Sequence, residues 1–417
     1  MNNFYSRPEL YLPRWLTANL RQASQDHPVV VLTGARQVGK STLLRNAEPF
    51  ASWRFRTLDD FDTLRQAREE PQGLWAGAEQ VILDEVQKAP NLLSAVKQAV
   101  DQHPGRYRFV LSGSANLLLL KQVSESLAGR AVYLVLHPMT LGEIHQTLPN
   151  TLLARALVED WPKEAELGAV PPDPLPLLLR GFMPALLSLP SQAACSRWWD
   201  GYVTAYLERD LRQLSQIENL LDFRRLMELL ALRCAQLLNQ SSLARDAGLS
   251  QPTTHRYINL LESTYLFERL SAYAASRSGR LVKSPKSLWN DPALAVFLSG
   301  YYDEKTLSRA RELGSYFEAM IFHHLRVLAG LMVPPARLYY WRQRAGHEVD
   351  FVVEWGRRLV GVEVKMSAHV SYKDTMPLRQ FLEEYPQASG GLVLYQGAAI
   401  RRLSEKILAV PWTSLTG

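Results

Sequence analysis

Val29-Val30-Val31-Leu32-Thr33-Gly34-Ala35-Arg36-Gln37-Val38-Gly39-Lys40-Ser41 decides how the first third of the chain is read. The opening run, β-favouring and uncharged, describes a strand buried on both faces, as in a parallel sheet. The residues from Gly34 to Ser41 fit G-x-x-x-x-G-K-[ST], with a helix-like stretch from Ser41 to Arg45 behind them. Glycines let backbone N–H groups approach phosphate at the positive end of a helix, Lys40 adds a point charge, and the Ser41 hydroxyl can ligate Mg²⁺. Gly34, Ala35, Arg36, Gln37, Val38, Gly39, Lys40, Ser41 and Thr42 are therefore the candidate phosphate-binding residues, with ATP and Mg²⁺ as the expected ligands.

Val81-Ile82-Leu83-Asp84-Glu85 supplies the second half of such a site. It reads as an apolar strand delivering two carboxylates to its C-terminal end, where open α/β sheets bind ligands. Asp84 is expected in the Mg²⁺ shell and Glu85 against the attacking water, because phosphoryl transfer needs positioning and charge neutralisation. Phe109 to Ser114 reads as a third strand, ending at Ser114, which is placed either to reach the γ-phosphate or simply to leave the sheet. Arg130 lies between Gly129 and the β-rich run Val132 to Leu136. That edge position suits an arginine finger for a neighbouring subunit's nucleotide, and equally an ion-paired surface arginine. Helical stretches at Leu58 to Ala67, opening on the capping candidates Asp59 and Asp60, and at Asn91 to Asp101 complete a parallel α/β domain over residues 1–150.

At 417 residues the chain exceeds what one core usually supports, and 47% hydrophobic with 21% charged residues describes a folded protein. The net charge of +6 allows a nucleic-acid partner without requiring one. Cys195 and Cys234 have no Cys or His at zinc spacing, which fits a reducing cytoplasm. Neither a secretory core nor a membrane-length apolar run is visible, so no membrane role is expected. The prolines at 171, 172, 174 and 176 mark a junction, apolar residues then recur at helical spacing, and strand-like runs return from Tyr339. The expected domains are 1–150 for the α/β domain, 151–215 for a helical linker or lid, 216–285 for a winged helix-turn-helix, and 286–417 for a second α/β domain.

In the third of these, Ser241 and Ser242 are read as caps of a short helix, Gly248 as the turn, and Ser250 as the cap of a second helix. Thr253, Thr254 and Arg256 at its start are candidates to face DNA bases, though a purely structural helix pair reads the same. Between Glu268 and Asp291 stand Arg269, Arg277, Arg280, Lys283 and Lys286 without a carboxylate, and Arg277, Arg280 and Lys283 are the candidate phosphate-backbone contacts. Further on, Asp350 faces a possible hairpin partner, Glu363-Val364-Lys365, whose Glu and Lys share one strand face. Glu318, in a helical stretch upstream, could join them around a second Mg²⁺.

The order of these segments resembles the bacterial and archaeal AAA-type ATPases with a C-terminal domain of unknown function. The resemblance rests on the phosphate loop, the Leu-Asp-Glu strand, Leu111-Ser112-Gly113-Ser114, Ser126-Leu127-Ala128-Gly129-Arg130 and Leu136-His137-Pro138-Met139-Thr140-Leu141-Gly142-Glu143. Later support comes from Arg180-Gly181-Phe182-Met183-Pro184, Tyr206 to Leu211 and Ser284 to Asp291, with Arg180 departing from the small or aromatic residue usual in that turn. The family implies ATP hydrolysis, Arg130 as the finger, and a ring or other homo-oligomer. The Asp350, Glu363, Lys365 and Glu318 set is similar to the restriction-endonuclease-like fold. The helix-turn-helix, the basic stretch and the nuclease-like set together point to an ATPase acting on DNA, with branched or forked DNA as the substrate class. A nucleotide-gated Mg²⁺ nuclease and an ATP-dependent switch on a protein partner are the alternatives.

Overall fold

The computed structural model describes residues 11–114, 127–166, 170–205, 217, 219–276, 280, 283–343 and 346–416. The chain divides into two compact units, one of residues 1–139 with 143–148 and one of residues 140–142 with 149–417.

In the first unit β1 (Val29–Thr33), β2 (Arg54–Thr57), β3 (Gln80–Asp84), β4 (Arg108–Ser112) and β5 (Ala131–Val135) form a parallel sheet in the order β2-β3-β4-β1-β5. β1 is buried throughout, as its uninterrupted apolar run requires, and α1 (Thr17–Asp26) and α2 (Lys40–Asn46) flank it in sequence. α3 (Phe61–Glu69) starts later than its apolar pattern indicated, because the Asp60 side chain accepts from Thr63 N and fixes the first turn there. α4 (Asn91–Gln102) buries Leu92, Leu93, Val96 and Ala99 in the core beneath the sheet. β2 was not legible in the sequence: in Arg-Phe-Arg-Thr the charges alternate and no apolar run forms.

The second unit, after a short helix at Leu152–Leu157, includes helices α5 (Pro174–Arg180), α6 (Gln192–Tyr202) and α7 (Leu220–Leu232). Tyr206 to Leu211, quoted above for the family pattern, lie outside the described residues. α8 (Gln240–Ala247) is capped by Asn239, which accepts from Ser242 N, so neither Ser241 nor Ser242 is the cap. Gly248 ends it at φ 70°, and Ser250 caps α9 (Gln251–Ser263) as expected. β7 (Phe267–Leu270) and β8 (Lys286–Trp289) then pair antiparallel. The expected boundary between 285 and 286 falls between these two paired strands.

α10 (Pro292–Leu298) and α11 (Leu313–Leu331) lead to β9 (Arg337–Arg342), β10 (Glu348–Trp355) and β11 (Arg358–Lys365), an antiparallel meander. α12 (Met376–Glu384) crosses to β12 (Gly390–Tyr395), which runs parallel to β11. β13 (Ala399–Ser404) and β14 (Ile407–Pro411), together with β6 (Ala165–Glu166), extend the sheet to the order β6-β13-β14-β12-β11-β10-β9. α11 is buried along most of its length, which brings Glu318 to the sheet. Among the described residues no helix is long and apolar enough to cross a membrane.

Candidate nucleotide site

Gly34 and Gly39 bracket the loop between β1 and α2, at φ 146° and 92°. Gly34 packs so tightly that a Cβ there would stand 2.1 Å from the Leu136 carbonyl oxygen. Gly34→Ala is therefore expected to cost about 1–3 kcal/mol in strain and to displace the loop. Thermal unfolding with and without ATP checks this: an unchanged melting temperature and unchanged ATP-induced stabilisation would contradict it.

Lys40 is 6% exposed and folds back over its own loop, donating from Nζ to the Gly34 and Ala35 carbonyls at 3.0 and 2.9 Å. Burial lowers its pKa to about 8, against the pull of Glu85 and Asp84. A phosphate would restore the charge that burial disfavours. The loop is held from behind by Arg14, which donates to Val38 O at 2.8 Å and to His137 O at 2.6 Å and pairs with Glu143 at 3.2 Å. This buried brace had no sequence signal, since a lone arginine in an aperiodic segment looks like a surface residue. Arg36 and Gln37 project outward, Thr42 is half-buried, and Gln37 takes φ 65°.

β4 stands between β1 and β3, so the acidic strand reaches the loop past the end of β4. Asp84, 3% exposed, bridges the gap: Oδ2 accepts from Ser41 Oγ at 2.9 Å and Oδ1 from Ser112 Oγ. Ser112, not singled out above, fixes Asp84. Glu85 adopts a left-handed φ of 57°, strained for a residue with a side chain. Gln87 donates from Nε2 both to Glu85 and to Ser114 Oγ, the latter at 3.1 Å. Burial first, then the neighbouring Asp84 charge, raises the Glu85 pKa. Lys40, Ser41, Asp84, Glu85 and Ser114 thus belong to one connected cluster.

Arg130 is elsewhere. Ala131 pairs with Val29, whereas the phosphate loop leaves the other end of β1, so Arg130 occupies the opposite edge of the sheet. The strand between them spans roughly 15 Å, too far for it to act on its own subunit's nucleotide. Its guanidinium pairs with Asp101 through Nε at 2.5 Å and a terminal nitrogen at 3.0 Å.

The other candidates need correction. Glu318, Asp350, Glu363 and Lys365 do converge, but lysines take up their charge. Lys286 Nζ, almost fully buried, lies 2.7 Å from Glu318, 2.6 Å from Glu348 and 3.5 Å from Asp350, while Lys365 pairs with Glu363 at 2.6 Å. Asp350 also accepts from Val364 N at 2.8 Å. Among the described residues no group of three or more His, Cys, Asp or Glu is arranged to hold a metal.

Thr254 is buried, donating to Ser250 O at 3.0 Å, and cannot face a base. Thr253 and Arg256 are half-buried, Thr253 bonded to Ser250 and Arg256 lying over the Tyr257 ring. Arg280 is held by both Glu354 oxygens at 2.9 Å and by Tyr339, Arg269 by Glu262, and Lys286 by its three carboxylates. The local absence of carboxylates in the basic stretch is thus made up by acids from elsewhere in the chain. Lys283 is exposed, donating to Arg342 O at 3.2 Å, and Arg277 lies outside the described residues.

A phosphate-loop strand separated by one strand from the acidic strand, in this parallel order, defines a P-loop ATPase of the AAA type. The family comparison agrees. A model described as an AAA domain matches residues 26–145, and two domains of unknown function, DUF8612 and DUF4143, match residues 175–305 and 313–415. The uncharacterized proteins Mb2031c of Mycobacterium bovis and Rv2008c of Mycobacterium tuberculosis are each 32% identical over 396 residues, covering 94% of this chain and 82% of theirs. The Walker-type ATPase PABY2304 of Pyrococcus abyssi is 16% identical, covering 70% of this chain and 97% of its own with a TM-score of 0.44. The chain belongs, with the two mycobacterial proteins, to the family of AAA-type P-loop ATPases carrying a C-terminal domain of unknown function.

Proposed function

We propose that this chain couples hydrolysis of magnesium-ATP to work on DNA as a homo-oligomer. The observation that carries the proposal is Asp84 bridging Ser41 and Ser112 beside the strained Glu85. Ser41 and Asp84 would hold Mg²⁺, which neutralises phosphate charge when bound. Lys40 exchanges its two carbonyl contacts for phosphate oxygens, and the backbone N–H groups from Gly34 to Thr42 cradle the rest. Glu85 orients the attacking water and takes its proton, and Ser114, coupled to Glu85 through Gln87, senses the γ-phosphate. Arg130, remote from its own loop, acts on a neighbour's nucleotide and leaves Asp101 to do so.

The DNA part is supported by two capped helices across a turn, followed by the β7–β8 wing, with Arg245, Gln251 and His255 exposed. Forked or branched DNA is the class proposed. One observation favours a second reading, an ATP-driven switch on a protein partner: most described cations of the wing are already ion-paired.

The test is ATPase turnover with linear, forked and junction DNA at low salt. A several-fold stimulation is expected. Uptake of labelled ATP without stimulation by any DNA overturns the DNA part alone, whereas no uptake by folded protein overturns the whole.

A further inference from the structure

The N-terminal sheet has a second built surface at the edge away from the phosphate loop, where β2, β3 and β4 begin side by side. A cavity of about 830 Å³ opens there, lined among others by Arg54, Arg56, Arg106, Arg108, Trp53 and Glu79. Arg54 and Arg56, two apart on β2, share a face. Glu79, at 3.4 Å from Arg106, is the one carboxylate among the described residues that line the cavity. Arg54 donates to the Ala76 carbonyl, and Arg56 and Arg108 have no carboxylate partner among the described residues. Among the cavity's lining residues four guanidinium groups stand against one carboxylate, a positive surface that suits an anionic ligand.

We infer that this edge is an anion site separate from the nucleotide loop, and that it takes the phosphodiester backbone of DNA. Arginine suits phosphate because its planar fork donates two hydrogen bonds at once. The spread selects a polymer: β2 and β4 are two strand spacings apart, about 10 Å, and Arg56 and Arg108 stand on opposite faces of the sheet, which is more than one phosphate covers. The inference rests on the DNA reading above and moves the main backbone contact from the wing, where the cations are paired, to the ATPase sheet. The same phosphate chemistry could come from a neighbouring subunit's nucleotide, and the experiment separates the two.

Binding of a labelled oligonucleotide is measured against salt for the full-length parent chain and for the double variant Arg56→Glu, Arg108→Glu, with ATP and tripolyphosphate as competitors. The expected result is at least a tenfold loss of DNA affinity at low salt, a salt slope smaller by about 2, and unchanged ATP uptake. An unchanged slope in the variant, with the parent binding DNA, overturns this inference and leaves the DNA reading standing. So does tripolyphosphate binding that the variant loses while DNA binding persists. A parent chain that binds no DNA at low salt removes both. Should the charge-reversed pair not fold, Arg56→Gln with Arg108→Gln carries the same test, with a slope change in the same direction.

Discussion

Glu85→Gln is expected to take up ATP as tightly as the parent chain and to hydrolyse it roughly 10²–10⁴-fold more slowly, the range a positioned general base contributes. The substitution keeps the shape and the contact with Gln87 while removing the group that accepts the proton. Asp84, fixed by Ser41 and Ser112, is untouched, so metal and nucleotide should still bind. Burial and the Asp84 charge raise the Glu85 pKa, and the carboxylate is the active form, so turnover should climb with pH through a point above the ordinary carboxylate range. That rising limb should be missing in Glu85→Gln. Nucleotide affinity and steady-state turnover across pH 5 to 9 are the measurements. Parent-like turnover in the variant would assign the base to another residue, and a loss of binding matching that of Lys40→Ala would make Glu85 a ligand instead.

The candidate nucleotide site was legible in the sequence because such sites are built from short contiguous segments. Gly34 to Ser41 and Val81 to Glu85 each carry a strand, its exit and the reactive groups together, so local pattern determined placement. What escaped is what depends on chain partners far apart. Arg14 reaches Val38, His137 and Glu143, and nothing near residue 14 signals it. The basic stretch from 269 to 286 failed in the opposite sense: it lacks acids locally, but Glu262, Glu318, Glu348, Asp350 and Glu354 arrive from other elements. Thr254 was misjudged through helical phase, lying on the inward face of α9 with Tyr257, Ile258 and Leu261. β2 escaped because its arginines face a polar cavity, so the alternation that marks it has charge where a core strand has Val or Ile.

Lys286→Met should be the most destabilising single change outside the nucleotide site, at ~3–5 kcal/mol, the usual result of removing one partner of a buried ion pair. Lys286 is 1% exposed, and its ammonium is the shared counter-charge of Glu318, Glu348 and Asp350. Methionine fills the volume, so the loss reports the uncompensated carboxylates rather than a cavity. Burial opposes the Lys286 charge, but the three acids outweigh it and hold its pKa above the usual lysine range. Burial, with Asp350 next in weight, also pushes Glu363 up to about 8. A carboxyl raised in the folded state binds its proton more tightly there than in the unfolded chain. Its stabilisation is therefore full below the unfolded value and disappears as pH rises from about 4.5 to 8. In Lys286→Met, Glu318, already raised by burial against the pull of Lys286, loses that cation, so it holds its proton to higher pH and the decline should be steeper. Urea unfolding followed from pH 5 to 9 checks both parts. A variant as stable as the parent at pH 8, with the same pH slope, would mean that the ammonium is not the group holding these carboxylates together.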